Sequence, residues 1–151
     1  MKSKLHALAG AIALLCIGAF WTSSLASELF FDERSVVQVK NGILRAMWLL
    51  IPAMAAAGAS GFALGKGRSG RLVDAKKRRM RFVAANGILI LLPSAFALAS
   101  MANAGRFDAL FYAVQVLELV AGAVNVALIA LNVRDGLRLG GRLSPRATLR
   151  A

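Results

Sequence analysis

Four stretches of this chain carry almost no charge, and each is long enough to cross a lipid bilayer. Residues 5–25 hold no charge except a possible one on His6, residues 43–65 only Arg45, residues 82–104 none, and residues 109–133 only Glu118 among the charged types. A helix rising about 1.5 Å per residue needs roughly 20 apolar residues to cross a hydrocarbon core of about 30 Å. No stretch alternates apolar and polar residues, and an open four-stranded sheet would leave unpaired backbone edges in lipid. The expected fold is therefore an all-α, polytopic membrane four-helix bundle, a single integral domain over residues 1–151. Composition agrees, since 58% of residues are hydrophobic and 17% charged, against roughly 45–50% and about 25% in soluble domains. The same figures exclude a disordered chain, which needs low hydrophobicity. Pro52 and Pro93 fall inside spans, where neighbouring groups re-satisfy a freed carbonyl, so they predict kinks rather than ends.

The net charge of +12 is distributed very unevenly. If the spans alternate in direction, one side receives Lys2 and Lys4, the stretch 66–81 and the tail 134–151, together fifteen basic residues. The other side receives four, Arg34, Lys40, Arg45 and Arg106, opposed by Glu28, Asp32, Glu33 and Asp108. Cytoplasmic loops carry the excess of Lys and Arg. This asymmetry predicts a bacterial inner-membrane protein with both termini in the cytoplasm, a basic cytoplasmic loop 66–81 and a cytoplasmic tail. Residues 28–41, with Phe30 and Phe31 among acidic side chains, read as a short, partly helical cap on the opposite interface. An alternative for the first span is a signal peptide cut after Ala26, where Ser24 and Ala26 match the small-residue pattern of a cleavage site. The other three spans keep their orientation in either case.

Helices in lipid gain little from hydrophobicity when they meet, so small and polar residues mark their contact faces. In the second span, Ala53, Ala57, Gly61 and Gly65 recur every fourth residue. In the fourth, Phe111, Gln115, Glu118, Gly122, Asn125, Ile129 and Asn132 alternate spacings of four and three, a heptad-like seam that collects the polar residues of the span. Val114, Leu117, Val124, Leu128 and Leu131 are left for lipid. The third span adds Asn86, with Ser94 and Ala97 deeper. Helix-packing positions are accordingly Ala53, Ala57, Gly61, Gly65 and Gly122, and the polar seam is Gln115, Glu118, Asn125, Asn132 and Asn86.

Glu118 is the most exposed to question among these, because an ionised side chain near mid-bilayer costs about 2.5–3.5 kcal/mol on insertion scales. It reads either as a proton or cation carrier flanked by Gln115 and Asn125, or as a hydrogen-bonded acid that sets helix register. His6, the one histidine, reads as an interfacial side chain, since membrane haem ligation of the b type needs a second imidazole or another axial ligand. One cysteine, Cys16, allows neither an internal disulfide nor a cysteine-based zinc site, and Asp32 with Glu33 make a poor metal site. The glycine-rich stretch 65–70 fails the Walker pattern, with Ser60 where the first glycine belongs and Gly67 in place of Ser or Thr. Lys76, Lys77, Arg78, Arg79 and Arg81 instead suit anionic lipid headgroups, at about 1 kcal/mol each. A nucleic-acid partner is not expected, because no aromatic platform accompanies the basic residues.

Gly58, Ala59, Ser60 and Gly61 resemble the nucleophile motif of rhomboid proteases. That resemblance implies a serine hydrolase with a histidine from a later helix, and this chain has no histidine after His6. Helix packing selects the same four small residues. A wider likeness rests on the stretches 65–72, 76–80, 111–115 and 132–136, with Asn86, Gly87, Pro93, Phe107, Asp108, Glu118, Leu119, Gly122, Ala123 and Asn125. These resemble small four-helix inner-membrane proteins of proteobacteria, which implies location and topology and assigns no activity. No catalytic set, cofactor site or metal site assembles from the sequence. The leading expectation is a structural or accessory membrane protein that packs with itself or with a larger membrane complex. The alternatives are a small oligomeric transporter or ion-coupled carrier using Glu118 and, more remotely, an electron-transfer subunit.

Overall fold

The computed structural model describes residues 2–66 and 70–139. It contains α1 (Lys2–Phe30), α2 (Glu33–Gly65), α3 (Arg71–Asn86), a π-helical turn (Gly87–Leu91), α4 (Leu92–Asn103) and α5 (Ala109–Leu139), with no strand among the described residues. α3, the π turn and α4 run on as one rod, so among the described residues four rods are long and apolar enough to cross a membrane. The chain is a polytopic membrane four-helix bundle. α1 packs on α2 and α5, and the α3–α4 rod also packs on α2 and α5. Consecutive rods are thus neighbours in a closed ring, and α2 lies diagonally across from α5.

All rods outrun the apolar stretches that define them in the sequence. The expected interfacial cap at 28–41 is absent: α1 continues to Phe30 and α2 begins at Glu33, leaving a two-residue turn. Asp32 closes that turn by accepting the Ser35 amide at 3.0 Å and the Ser35 hydroxyl at 2.6 Å. The hydroxyl bond first, then the amide bond, holds this exposed carboxyl below the usual aspartate range. The expected basic loop 66–81 is mostly helix as well, because α3 starts at Arg71. α5 likewise carries Arg134, Asp135 and Arg138 within its last turns. Arg142, Arg146 and Arg150 of the tail lie outside the described residues.

The α4–α5 connection follows from backbone chemistry. Gly105 adopts a left-handed φ of +66°. There the Gly105 amide donates to Ala102 O at 3.0 Å and the Arg106 amide to Met101 O at 2.9 Å, the paired bonds of a Schellman stop. Asp108 then accepts the Phe111 amide at 3.0 Å and starts α5. The Arg106 side chain, bonded to Asp108 at 2.8 Å, is the main reason that this carboxyl also sits below its ordinary range.

Pro93 leaves the rod unbroken. It lacks an amide hydrogen and its ring would collide with the carbonyl four residues back. The π turn, in which the Leu92 amide reaches back to Gly87 O, widens the helix there. Small residues fill many of the contacts between rods, and many large side chains point outward. Ala9, Ala13, Ala53, Ala57, Ala95 and Ala99 are buried, whereas Leu15, Trp48, Phe62, Phe82 and Leu89 are exposed to the lipid side. On α5, Leu117 and Val124 face outward as expected, but Val114 and Leu128 pack against the apolar core clusters. An apolar stripe that faces two neighbouring helices is wide enough to draw the positions flanking the seam into contact.

Candidate functional site

The α5 seam builds three polar layers, one near the acidic end of the bundle, one midway and one near the basic end. Its members Phe111, Gln115, Gly122, Asn125, Ile129 and Asn132 are all buried, and Glu118 is 13% exposed.

In the acidic-end layer the central group is Lys40, which is 1% exposed. Its ammonium donates to Glu118 at 2.9 Å, to Ser24 at 3.2 Å and to the Gln115 side-chain oxygen. An ammonium has three N–H donors, so α1 and α5 together saturate it. Lys40 is seven residues into α2 and Ser24 six residues from the end of α1. At 1.5 Å per residue the layer lies about 10 Å below the helix ends. The sequence places Lys40 among the charges of the outer connection, and the structure corrects this. α2 and α5 stand diagonally, and a four-carbon stem spans the gap that shorter side chains would leave open. Glu118 is therefore one half of an ion pair. Glu28, one turn beyond Ser24 on α1, is half-buried.

Midway, the Asn86 amide donates to Asn125 Oδ1 at 2.8 Å and to Ala121 O at 2.9 Å, while Asn125 donates to Val83 O at 3.3 Å. This ladder ties α3 to α5 immediately before the π turn. At the basic end, Arg79 donates to Asp135 at 2.7 Å and to Asn132 at 3.3 Å. Arg134 stands 3.5 Å from the other Asp135 oxygen. Lys76 crosses to α5 as well, its Nζ lying 3.1 Å from where a Cβ on Gly136 would sit. Of the five residues expected at lipid headgroups, Lys76 and Arg79 thus turn partly into the bundle, and Lys77, Arg78 and Arg81 are exposed.

His6 is half-buried against α2 rather than free at the interface. Its Nδ1 lies 3.1 Å from Ala57 O and 3.2 Å from Ser60 Oγ. The imidazole that the sequence withholds from Ser60 is thus supplied by the first helix. The polarity is nevertheless wrong for a nucleophile and its base. A carbonyl only accepts, so Nδ1 carries a hydrogen toward Ala57, and the Ser60 hydroxyl spends its own on Ala56 O. Gly61 makes room for this ring, since a Cβ there would come within 3.0 Å of His6 Cε1. Gly65 gives similar room to the Lys77 stem and Gly122 to Trp21. Trp21 also donates to Leu119 O at 2.9 Å, joining α1 to α5. The small-residue stripe of α2 therefore serves contacts within the chain: Ala53 and Ala57 are buried between helices, while Gly61 and Gly65 seat side chains.

A cavity of about 70 Å³ lies between the rods, lined largely by apolar side chains, with Ser24 and Glu118 in its wall. Among the described residues no group of His, Cys, Asp and Glu is arranged to hold a metal ion. Comparison with protein-family models, with curated proteins and with solved structures finds no match to this chain.

Proposed function

We propose that this protein is a structural or accessory subunit of a bacterial inner membrane, with both termini in the cytoplasm, associating with itself or with a larger membrane complex. One observation carries the reading: Gln115, Glu118, Asn125, Asn132 and Asp135 each bond to another helix of the same bundle. Side chains engaged in this way hold helices together and leave little to line a conducting path. The orientation is supported by charge, since the basic end carries Lys66, Arg71, Arg78, Arg81 and Arg138 and the turn end carries Asp32, Glu33 and Asp108. Anionic headgroups are the natural partners of Arg78 and Arg81.

The test is the mass of the protein–lipid particle after gentle extraction into nanodiscs, combined with ion flux in reconstituted vesicles. The accessory reading expects particles larger than one chain, and vesicles whose pH-driven flux equals that of empty controls. Flux above the controls that Glu118→Gln abolishes would replace this reading with the carrier.

A further inference from the structure

Donors outnumber acceptors in the basic-end layer. Lys76 and Arg79, three residues apart on α3, share the helix face turned to α5. Both N–H groups of Arg79 Nη1 are spent, one on Asp135 at 2.7 Å and one on Asn132 Oδ1 at 3.3 Å. A guanidinium has five N–H donors, and those on Nε and Nη2 of Arg79 bond nothing among the described residues. The half-buried Lys76 ammonium rests against α5, 3.1 Å from where a Cβ on Gly136 would sit. It makes no hydrogen bond or ion pair among the described residues. Asn132 turns its amide oxygen to Arg79, which leaves Nδ2 as a buried donor without a partner there, on a residue 4% exposed.

Acceptors are scarce at this end. Asp135 already has both oxygens facing guanidinium groups, Oδ2 to Arg79 and Oδ1 to Arg134 at 3.5 Å. Asp74 is exposed and forms no ion pair among the described residues. Residues 67–69 and 140–151 contain neither aspartate nor glutamate. Three cations thus converge on residues 132–136 of α5 against one carboxylate.

Unspent charged donors favour an anion rich in acceptor oxygens. A carboxylate offers two oxygens in one plane, which a single guanidinium fills. A phosphate offers oxygens in several directions, as donors from an ammonium, a guanidinium and an amide require. Depth points the same way. The layer sits where the apolar stretches 82–104 and 109–133 end, the level at which a bilayer presents its phosphates. Phe82, one turn into the apolar stretch from Arg79, is 62% exposed and gives an acyl chain a surface. We propose that Lys76, Arg79 and Asn132 form a phosphate-binding site between α3 and α5, with Arg134 at its edge. The phosphodiester of an anionic lipid headgroup and a soluble phosphate ester share this chemistry, and basic pockets between membrane helices hold headgroups in this way. Asp135 keeps Arg79 oriented while the anion takes the donors that Asp135 leaves. The proposal rests on the reading above only for the leaflet, the cytoplasmic one.

The test is thermal melting of the full chain in a non-ionic detergent, with phosphatidylglycerol, phosphatidylcholine or inorganic phosphate added in turn. A ligand that binds only the folded chain raises its melting temperature. Phosphatidylglycerol should do so at concentrations where phosphatidylcholine does not. Lys76→Gln should raise the half-saturating concentration about fivefold. Because Lys76 holds no partner among the described residues, this variant should melt no lower than the unaltered chain when no anion is added. Arg78→Gln, an equal change of charge at an exposed position of α3, should keep the full response. A response to inorganic phosphate that Lys76→Gln weakens supports the same site with a soluble ester as its source. No response to either anion, a Lys76→Gln response as strong as the original, or an Arg78→Gln response weakened as much would each overturn the proposal. So would a Lys76→Gln chain that is destabilised without anion. Particle mass and ion flux, which test the accessory reading, are measured independently of these melts.

Discussion

The two ends of the bundle use the same kind of ion pair at different exposure. Near the basic end, Asp135 meets Arg79 and Arg134, with Lys76 close by, and the Arg79 side chain remains 23% exposed. Cations outnumber the carboxylate, and a long, partly exposed guanidinium can extend its excess charge toward water and headgroups. Near the acidic end, Lys40 is sealed at 1% exposure and its partner Glu118 is 13% exposed. Surplus positive charge at the basic end can therefore be screened outside the bundle, whereas the Lys40–Glu118 pair must be satisfied inside it. One pair anchors a helix end, and the other makes a closed internal junction of three helices.

Removing the sealed cation should break this comparison most severely. Lys40→Met strands Glu118, and loss of one partner of a buried pair costs about 3–5 kcal/mol. Thermal unfolding in detergent should show this loss, and Lys40→Met combined with Glu118→Leu should recover most of it. Arg79→Ala should cost less, about 1–3 kcal/mol, because Arg134 and Lys76 still face Asp135. Equal losses for Lys40→Met and Arg79→Ala would dissolve the distinction between sealed and solvated ends. Next in size is Gly61→Leu, which drives a side chain into the His6 ring and should cost about 1–3 kcal/mol as overpacking. Gly58→Leu, where a Cβ meets nothing within 4 Å, serves as its silent control. Because Gly61 packs within the chain, its variant should lose α1–α2 stability in the same melts.

The smallest effect sharpens the comparison from outside the bundle. Asp32 has a lowered folded-state value through its bonds to Ser35. A depressed carboxylate contributes stability that is complete above its unfolded value, about 3.9 for Asp, and that is lost as pH falls through the folded value. Asp32→Ala should therefore lower the melting temperature slightly at neutral pH. The difference from the unaltered chain should disappear in strong acid. A gap that widens in acid would contradict the capping role.

Much of the architecture is legible in the residue pattern. The four spans follow from hydrophobic runs, and the α5 seam follows from alternating intervals of four and three that bring Gln115, Glu118, Asn125 and Asn132 to one face. The helix ends are less legible, because charged residues interrupt an apolar run without interrupting a helix. Lys40 illustrates this. Hydropathy alone reads it as an interfacial charge, yet Val36, Lys40, Ile43 and Met47 keep the same four-three-four interval, and all four are buried. That interval is the signal that could have placed it inside. Glu28 carries a weaker one, since it follows the buried Ser24 by four residues and Ser27 by one.

What the linear order of residues determines is the solvent each segment requires: apolar length sets the number of crossings, and helical period sets which face turns inward. Partnership across the bundle is a different matter. Whether Lys40 meets Glu118, or His6 meets Ser60, depends on which rods are neighbours, which lie diagonally, and at what depth each side chain stands. Those relations join residues 78 and 54 positions apart. They arise only when all four rods close into a ring, because the burial of each charge is tolerable only once its partner is already in place.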